Sequence, residues 1–217
     1  MTITPPPALP ESPEPLTIAA PSAQSELPDA PATIPQAETV GDVATAYNLG
    51  ALLEEEGNLT DALIAYQRAD ESGDAAAATN LGVLLEQRGD LEGAIAAYRR
   101  ADGRGDPNGS FNLGCLLAER GDMVGAIAAL RHADELGDPA AASNLGVLLE
   151  RHGDVNGALD AYRRADALGD ANGAFNLGLL LVTRGDLIGA REAYRRASER
   201  GDAELVARAG EALNELR

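Results

Sequence analysis

Asparagine opens the triplet Asn-Leu-Gly five times in this chain, always 32 residues after the last copy: Asn48, Asn80, Asn112, Asn144 and Asn176. A side-chain amide offers two donors and an acceptor, which suits an extended peptide backbone without reading its side chains. The other residues able to do chemistry offer less. His132 and His152 stand in columns filled mostly by Arg, with Glu56 in the first copy, and read as polar surface substitutions rather than a catalytic pair. No nucleophile–base–orienter set emerges, and no Gly-rich loop follows a strand. Two His and the single Cys115 cannot build a four-ligand zinc site without carboxylates. All 17 basic residues are Arg, so Schiff-base and P-loop lysine chemistry are absent. The sequence reads as a non-enzyme without cofactor or metal, whose chemistry is recognition.

Two further motifs are explained by the repeat. Arg-Gly-Asp occurs at Arg88, Arg104, Arg120, Arg184 and Arg200. An adhesion signal would need it on a flexible loop, whereas here it reads as a helix end followed by an N-cap. The stretches Tyr66 to Asp70, Tyr98 to Asp102 and Tyr162 to Asp166 match a Tyr-x-x-x-Asp secretion pattern. They read as a by-product of the repeat.

The elements that position these residues are short helices. Leu81, Leu84 and Leu85 lie at helical offsets, as do Ala94, Ala97, Tyr98 and Ala101. Between the two sets sits Gly89-Asp90. The Gly suits a left-handed position after a helix, and the Asp suits the N-cap of the next. Gly-Asp recurs at Gly73, Gly105, Gly137, Gly169 and Gly201, so the chain is punctuated one helix at a time. Pro107 and Pro139 follow two of these caps at N1, where a missing N–H costs little. Small residues in fixed columns allow close helix approach, and Gly82 is expected to face Ala94 within its repeat. The reading is all-α: an α-solenoid of five helix-turn-helix repeats over residues 39–217, closed by a C-terminal capping helix from Ala203. Opening tetrads alternate between repeats, with Asn108 to Phe111 and Asn172 to Phe175 against Ala76 to Thr79 and Ala140 to Ser143. A two-repeat unit was therefore duplicated.

The columns Leu-Gly, Leu, Gly, Ala, Tyr, Ala resemble the tetratricopeptide repeat from about Asp42 to Asp202. Two departures lean toward the related Sel-one-like repeats. The period is 32 rather than about 34. Small residues (Ala46, Ala78, Ser110, Ala142, Ala174) stand where a bulky aromatic is expected. The resemblance implies that the Asn column faces the concave side of the first helices as an amide ladder. The alternative leaves these Asn bonding the neighbouring repeat and holding the stack. Beside them it places Tyr47, Phe111 and Phe175, with Thr79 and Ser143 in the other copies, either as anchors for a partner or as packing between first helices. Farther along the implied groove come Glu54, Glu86 and Glu150, which suit a basic peptide or form a solvated face. The family's clamp for acidic tails needs basic residues near the Asn column, and those positions are apolar or hydroxylic here.

Composition narrows the partner. A net charge of −18 argues against nucleic acid and anionic membrane and favours a basic protein or peptide, or simply solubility. Residues 1–38 hold ten of the twelve prolines, five acidic residues and no basic ones. Such a stretch reads as a disordered Pro-rich acidic tail and not as a signal peptide. No run is long and apolar enough to span a membrane, and a bacterial, cytoplasmic scaffold is the expectation. The leading function is an adaptor that binds a peptide or protein segment in the groove. The alternative is a structural or regulatory subunit that uses its convex face or end repeats.

Overall fold

The computed structural model describes residues 43–216, and the tail read at residues 1–38 lies outside them. The described residues form eleven α-helices and no strand. They pair as α1 (Val43–Glu55) with α2 (Leu59–Glu71), α3 (Ala75–Gln87) with α4 (Leu91–Gly103), and α5 (Pro107–Glu119) with α6 (Met123–Glu135). Next come α7 (Pro139–Arg151) with α8 (Val155–Ala167) and α9 (Ala171–Thr183) with α10 (Leu187–Arg200), then α11 (Ala203–Glu215) as the cap. Each helix packs on the next, and first helices of neighbouring repeats, such as α3 with α5 and α7 with α9, also touch.

The punctuation works by hydrogen bonds that the sequence supplies locally. At the α3 end the Gly89 N–H reaches the Glu86 carbonyl at 2.9 Å and the Asp90 N–H reaches the Leu85 carbonyl at 2.9 Å. That is a Schellman closure, and Gly89 sits at φ 80° to make it. Asp90 then turns its carboxylate forward and accepts the Gly93 N–H at 2.9 Å, capping α4. One dipeptide thus ends one helix and starts the next. Gly201 is the exception. α10 runs 14 residues rather than 13, so Gly201 becomes an extended C-cap at φ −76° and not a left-handed one.

Alanines at the helix crossings are fully buried, among them Ala62, Ala94, Ala126, Ala158 and Ala190. The space above Gly82 is filled by the Tyr98 ring rather than by Ala94, and a Cβ there would come closer than 3.0 Å to the ring. Gly50, Gly146 and Gly178 meet Tyr66, Tyr162 and Tyr194 in the same way, and Gly114 meets Leu130. The ring is the larger group, so it, and not the alanine, sets how closely the pair can pack.

Candidate functional site

The Asn residues share a stripe with the residues three positions on: Ala51, Val83, Cys115, Val147 and Leu179. Asn80, Asn112, Asn144 and Asn176 are half-buried and Asn48 is exposed. The Asn144 amide donates to the Cys115 thiol at 3.7 Å, which sets the stripes of repeats 3 and 4 side by side. Burial pushes the Cys115 thiol up to about 11, against a smaller opposing effect of that amide. Asn80 lies against the Tyr66 hydroxyl of the preceding repeat. The amides of Asn48, Asn112 and Asn176 make no side-chain hydrogen bond among the described residues, which leaves their donors and acceptors to solvent or ligand.

The glutamates have a partner within their own repeat. The hydroxyls of Tyr66, Tyr98 and Tyr162 donate to Glu54, Glu86 and Glu150 at 2.8, 2.8 and 3.0 Å. Burial, reinforced by these carboxylates, pushes all three phenols above their ordinary range. In repeat 3 the Glu position is Ala118 and the Tyr position is Leu130, so donor and acceptor are lost together. Each carboxylate keeps other lone pairs free to face solvent or a cation.

The ring positions differ in exposure. Tyr47 is half-buried with its centroid 5.8 Å from that of Tyr66. Phe111 is partly buried against the core. Phe175 is buried beside Tyr194, and Arg208 lies 4.7 Å above its centroid. Arg208 occupies the Asn column of the cap helix, so the stripe ends on a cation. The alternate members, Thr79 and Ser143, bond the N-cap aspartates of the following repeat, Asp106 and Asp170.

Sequence reasoning missed a second ladder, made by the second helices. Arg100 and Arg104 hold Asp70 with Nη–Oδ distances of 2.5 and 2.6 Å. Arg164 holds Asp134 at 2.6 Å, and Arg196 and Arg200 hold Asp166 at 2.6 and 3.1 Å. These aspartates are the last residue of the Tyr-x-x-x-Asp stretches or of their repeat-3 equivalent. Their role is to tie each repeat to the next. Between repeats 2 and 3 the cation column holds His132, whose Nδ1 lies 2.7 Å from Asp102 Oδ1, while the Ser110 hydroxyl donates to the same oxygen at 2.6 Å. His132 is therefore an inter-repeat tie and not a bare surface substitution. The arginines of Arg-Gly-Asp also bridge repeats: Arg88 reaches Thr60, Arg120 reaches Glu92 and Arg184 reaches Asn156. The available signal was the joint 32-residue recurrence of Asp and Arg, with Asp70–Arg100, Asp134–Arg164 and Asp166–Arg196 each 30 residues apart.

A helix pair thus recurs at fixed spacing, with each Leu-Gly glycine under a tyrosine ring or Leu130. The tetratricopeptide repeat model matches residues 68–110, 111–173 and 144–204, which together exceed half of the chain. The chain belongs to the tetratricopeptide repeat family. No curated protein matches it significantly. Among solved structures it is similar to a protective antigen of uropathogenic Escherichia coli with an SLR fold, at 25% identity and TM-score 0.67. That match covers 78% of this chain but only 41% of the antigen, so the chain spans less than half of that relative. A Sel1 repeat protein from Oxalobacter formigenes shares 22% identity at TM-score 0.66, covering 75% of each chain. YrrB, a TPR protein with an unusual peptide-binding site, shares 23% identity at TM-score 0.57, over 78% of this chain and 92% of its own. This tetratricopeptide repeat protein thus lies close to the Sel1-like branch, as its short period implied.

Proposed function

We propose that this array is a protein-interaction scaffold that takes an extended segment of a protein or peptide along its first-helix face. The observation that carries the reading is the row of Asn side chains, one per repeat and four of them half-buried. Most of their amide groups are unused by the fold. They alternate with apolar floor from Ala51, Val83, Val147 and Leu179, which can seat small side chains of a bound strand. The partly exposed Tyr47 and Phe111 flank the row, while Phe175 serves as wall. Glu54, Glu86 and Glu150 lie beside it, and the net charge of −18 supplies a long-range field that draws a basic segment. YrrB, of related fold, carries an unusual peptide-binding site, which supports this reading. No described helix is long and apolar enough to cross a membrane. The compartment that fits this reading is the cytoplasm.

Selecting a random-peptide display library on the full chain tests the proposal. Enriched peptides should carry Arg or Lys and lack acidic runs. Failure to enrich any sequence, or enrichment of acidic ones, would contradict it.

A further inference from the structure

The two ends of the array are not alike. In the interior, the Leu of each Asn-Leu-Gly is 1–5% exposed (Leu81, Leu113, Leu145, Leu177), and the Leu three residues on is 0–4% exposed (Leu84, Leu116, Leu148, Leu180). In α1 the same columns hold Leu49 at 39% and Leu52 at 52%. Thr45, one turn earlier on the same stripe, is also exposed, where Ala77, Gly109, Ala141 and Gly173 are buried. The charged column is open as well. Arg100, Arg164 and Arg196 each grip an aspartate of the preceding repeat, but Arg68 has no carboxylate partner among the described residues. At the other end of α1, Glu55 and Glu56 are exposed and have no cation there among the described residues.

We propose that this end face is the interface of a twofold homodimer, in which α1 of one copy lies antiparallel on α1 of the other. The face has a leucine stripe at its centre. Arg68, in the last turn of α2, lies at the α1 N-terminal end, because the two helices of a repeat run antiparallel. Glu55 and Glu56 lie at the α1 C-terminal end. A twofold axis across α1 sets leucine on leucine and places each Arg68 over the partner's acidic end, so the surface is self-complementary in shape and charge. Two observations favour this over a further repeat stacked in register. Thr45 is branched in a column whose members in the other four repeats are Ala77, Gly109, Ala141 and Gly173, and at Gly109 and Gly173 even a Cβ would press on Ala101 and Ala165. A head-to-tail copy would offer Ser198 where Arg68 needs an aspartate, and α11 already covers that end.

Sedimentation equilibrium on the full chain, from micromolar to millimolar concentration, tests the proposal. A monomer–dimer equilibrium is expected. Leu49→Glu with Leu52→Glu should give a monomer with unchanged helical circular dichroism, since both side chains are already exposed. Arg68→Glu should weaken the dimer about tenfold, because the reversal acts twice under the symmetry. Adding Glu55→Arg and Glu56→Arg should restore it. A monomer at every concentration would overturn the proposal, whether a different protein or residues 1–42 covered the face. So would a dimer that survives the leucine changes, or a charge reversal that is not rescued.

Discussion

Gly82→Ala and Gly210→Ala should change stability in opposite directions, although both place alanine inside a helix. Helix propensity alone favours alanine by about 1 kcal/mol at either site. At Gly210, inside α11, nothing lies within 4 Å of a new Cβ, so that gain stands. At Gly82 the Cβ would fall closer than 3.0 Å to the Tyr98 ring. That ring cannot swing aside cheaply. It is 1% exposed, and its hydroxyl is fixed on Glu86 at 2.8 Å. Overpacking of this kind costs roughly 1–3 kcal/mol, and disturbing the hydroxyl bond adds about 1 kcal/mol. Gly82→Ala should therefore lose about 2 kcal/mol net, and the two variants should differ by about 3 kcal/mol. Urea unfolding followed by circular dichroism measures the difference. Hydrogen exchange on the same samples covers the case in which the array opens repeat by repeat. If both variants are stabilised, the ring yields freely and the steric account of the Leu-Gly column is wrong.

Four other outcomes follow from the ladders. Burial raises the Asp70 carboxyl, but hydrogen bonds from Arg100 and Arg104 outweigh it and hold it below its ordinary value. A depressed folded value means that the stability from this pair is present above the unfolded carboxylate pKa, about 3.9, and lost as pH falls through the folded one. Asp70→Asn should cost about 1–3 kcal/mol at neutral pH, and the deficit should shrink in urea titrations below about pH 4. A pH-independent deficit would mean that charge plays no part. The Cys115 thiol should react with an alkylating agent at pH 8 only as fast as the repeat 3–4 seam opens, and Asn144→Ala should speed the labelling. Cys115→Val should be nearly neutral in stability, because Val83 and Val147 fill the same column. Glu86→Gln with Glu150→Gln should keep the tyrosine bonds and hence the melting temperature. It should still weaken a basic peptide, and the loss should fade with added salt.

Much of the fold was legible because its punctuation is local. Gly89 and Asp90 specify a helix end and a helix start through bonds that span only a few residues, and the 32-residue period copies that instruction along the chain. The inter-repeat ties were not legible in the same way. Asp70 and Arg100 are 30 residues apart, and nothing in either local pattern says that stacking will join them. His132 looked like a stray polar residue for the same reason, since Asp102 reaches it only across the seam. The partner of Gly82 was misread because helical offsets identify a face but not which of Ala94 and Tyr98 reaches across the crossing. The glutamates were visible as a charged column, yet their hydroxyl partners lie on the other helix of the pair. The joint replacement of Glu and Tyr by Ala118 and Leu130 in repeat 3 was a partial sequence sign of that contact, since repeat 5 keeps Tyr194 with Val182 at the Glu position.

The central claim is that the Asn row binds ligand as well as lining the seam between repeats. The most direct test pairs two measurements on Asn112→Ala and Asn144→Ala: calorimetric affinity for a library-selected peptide, and thermal melting of the same samples. Each lost amide bond should weaken affinity by about 1 kcal/mol, with the melting temperature of Asn112→Ala, whose amide makes no side-chain hydrogen bond among the described residues, close to that of the unmodified chain. Lowered melting temperatures with unchanged affinity would contradict the claim and leave the row with a purely structural role.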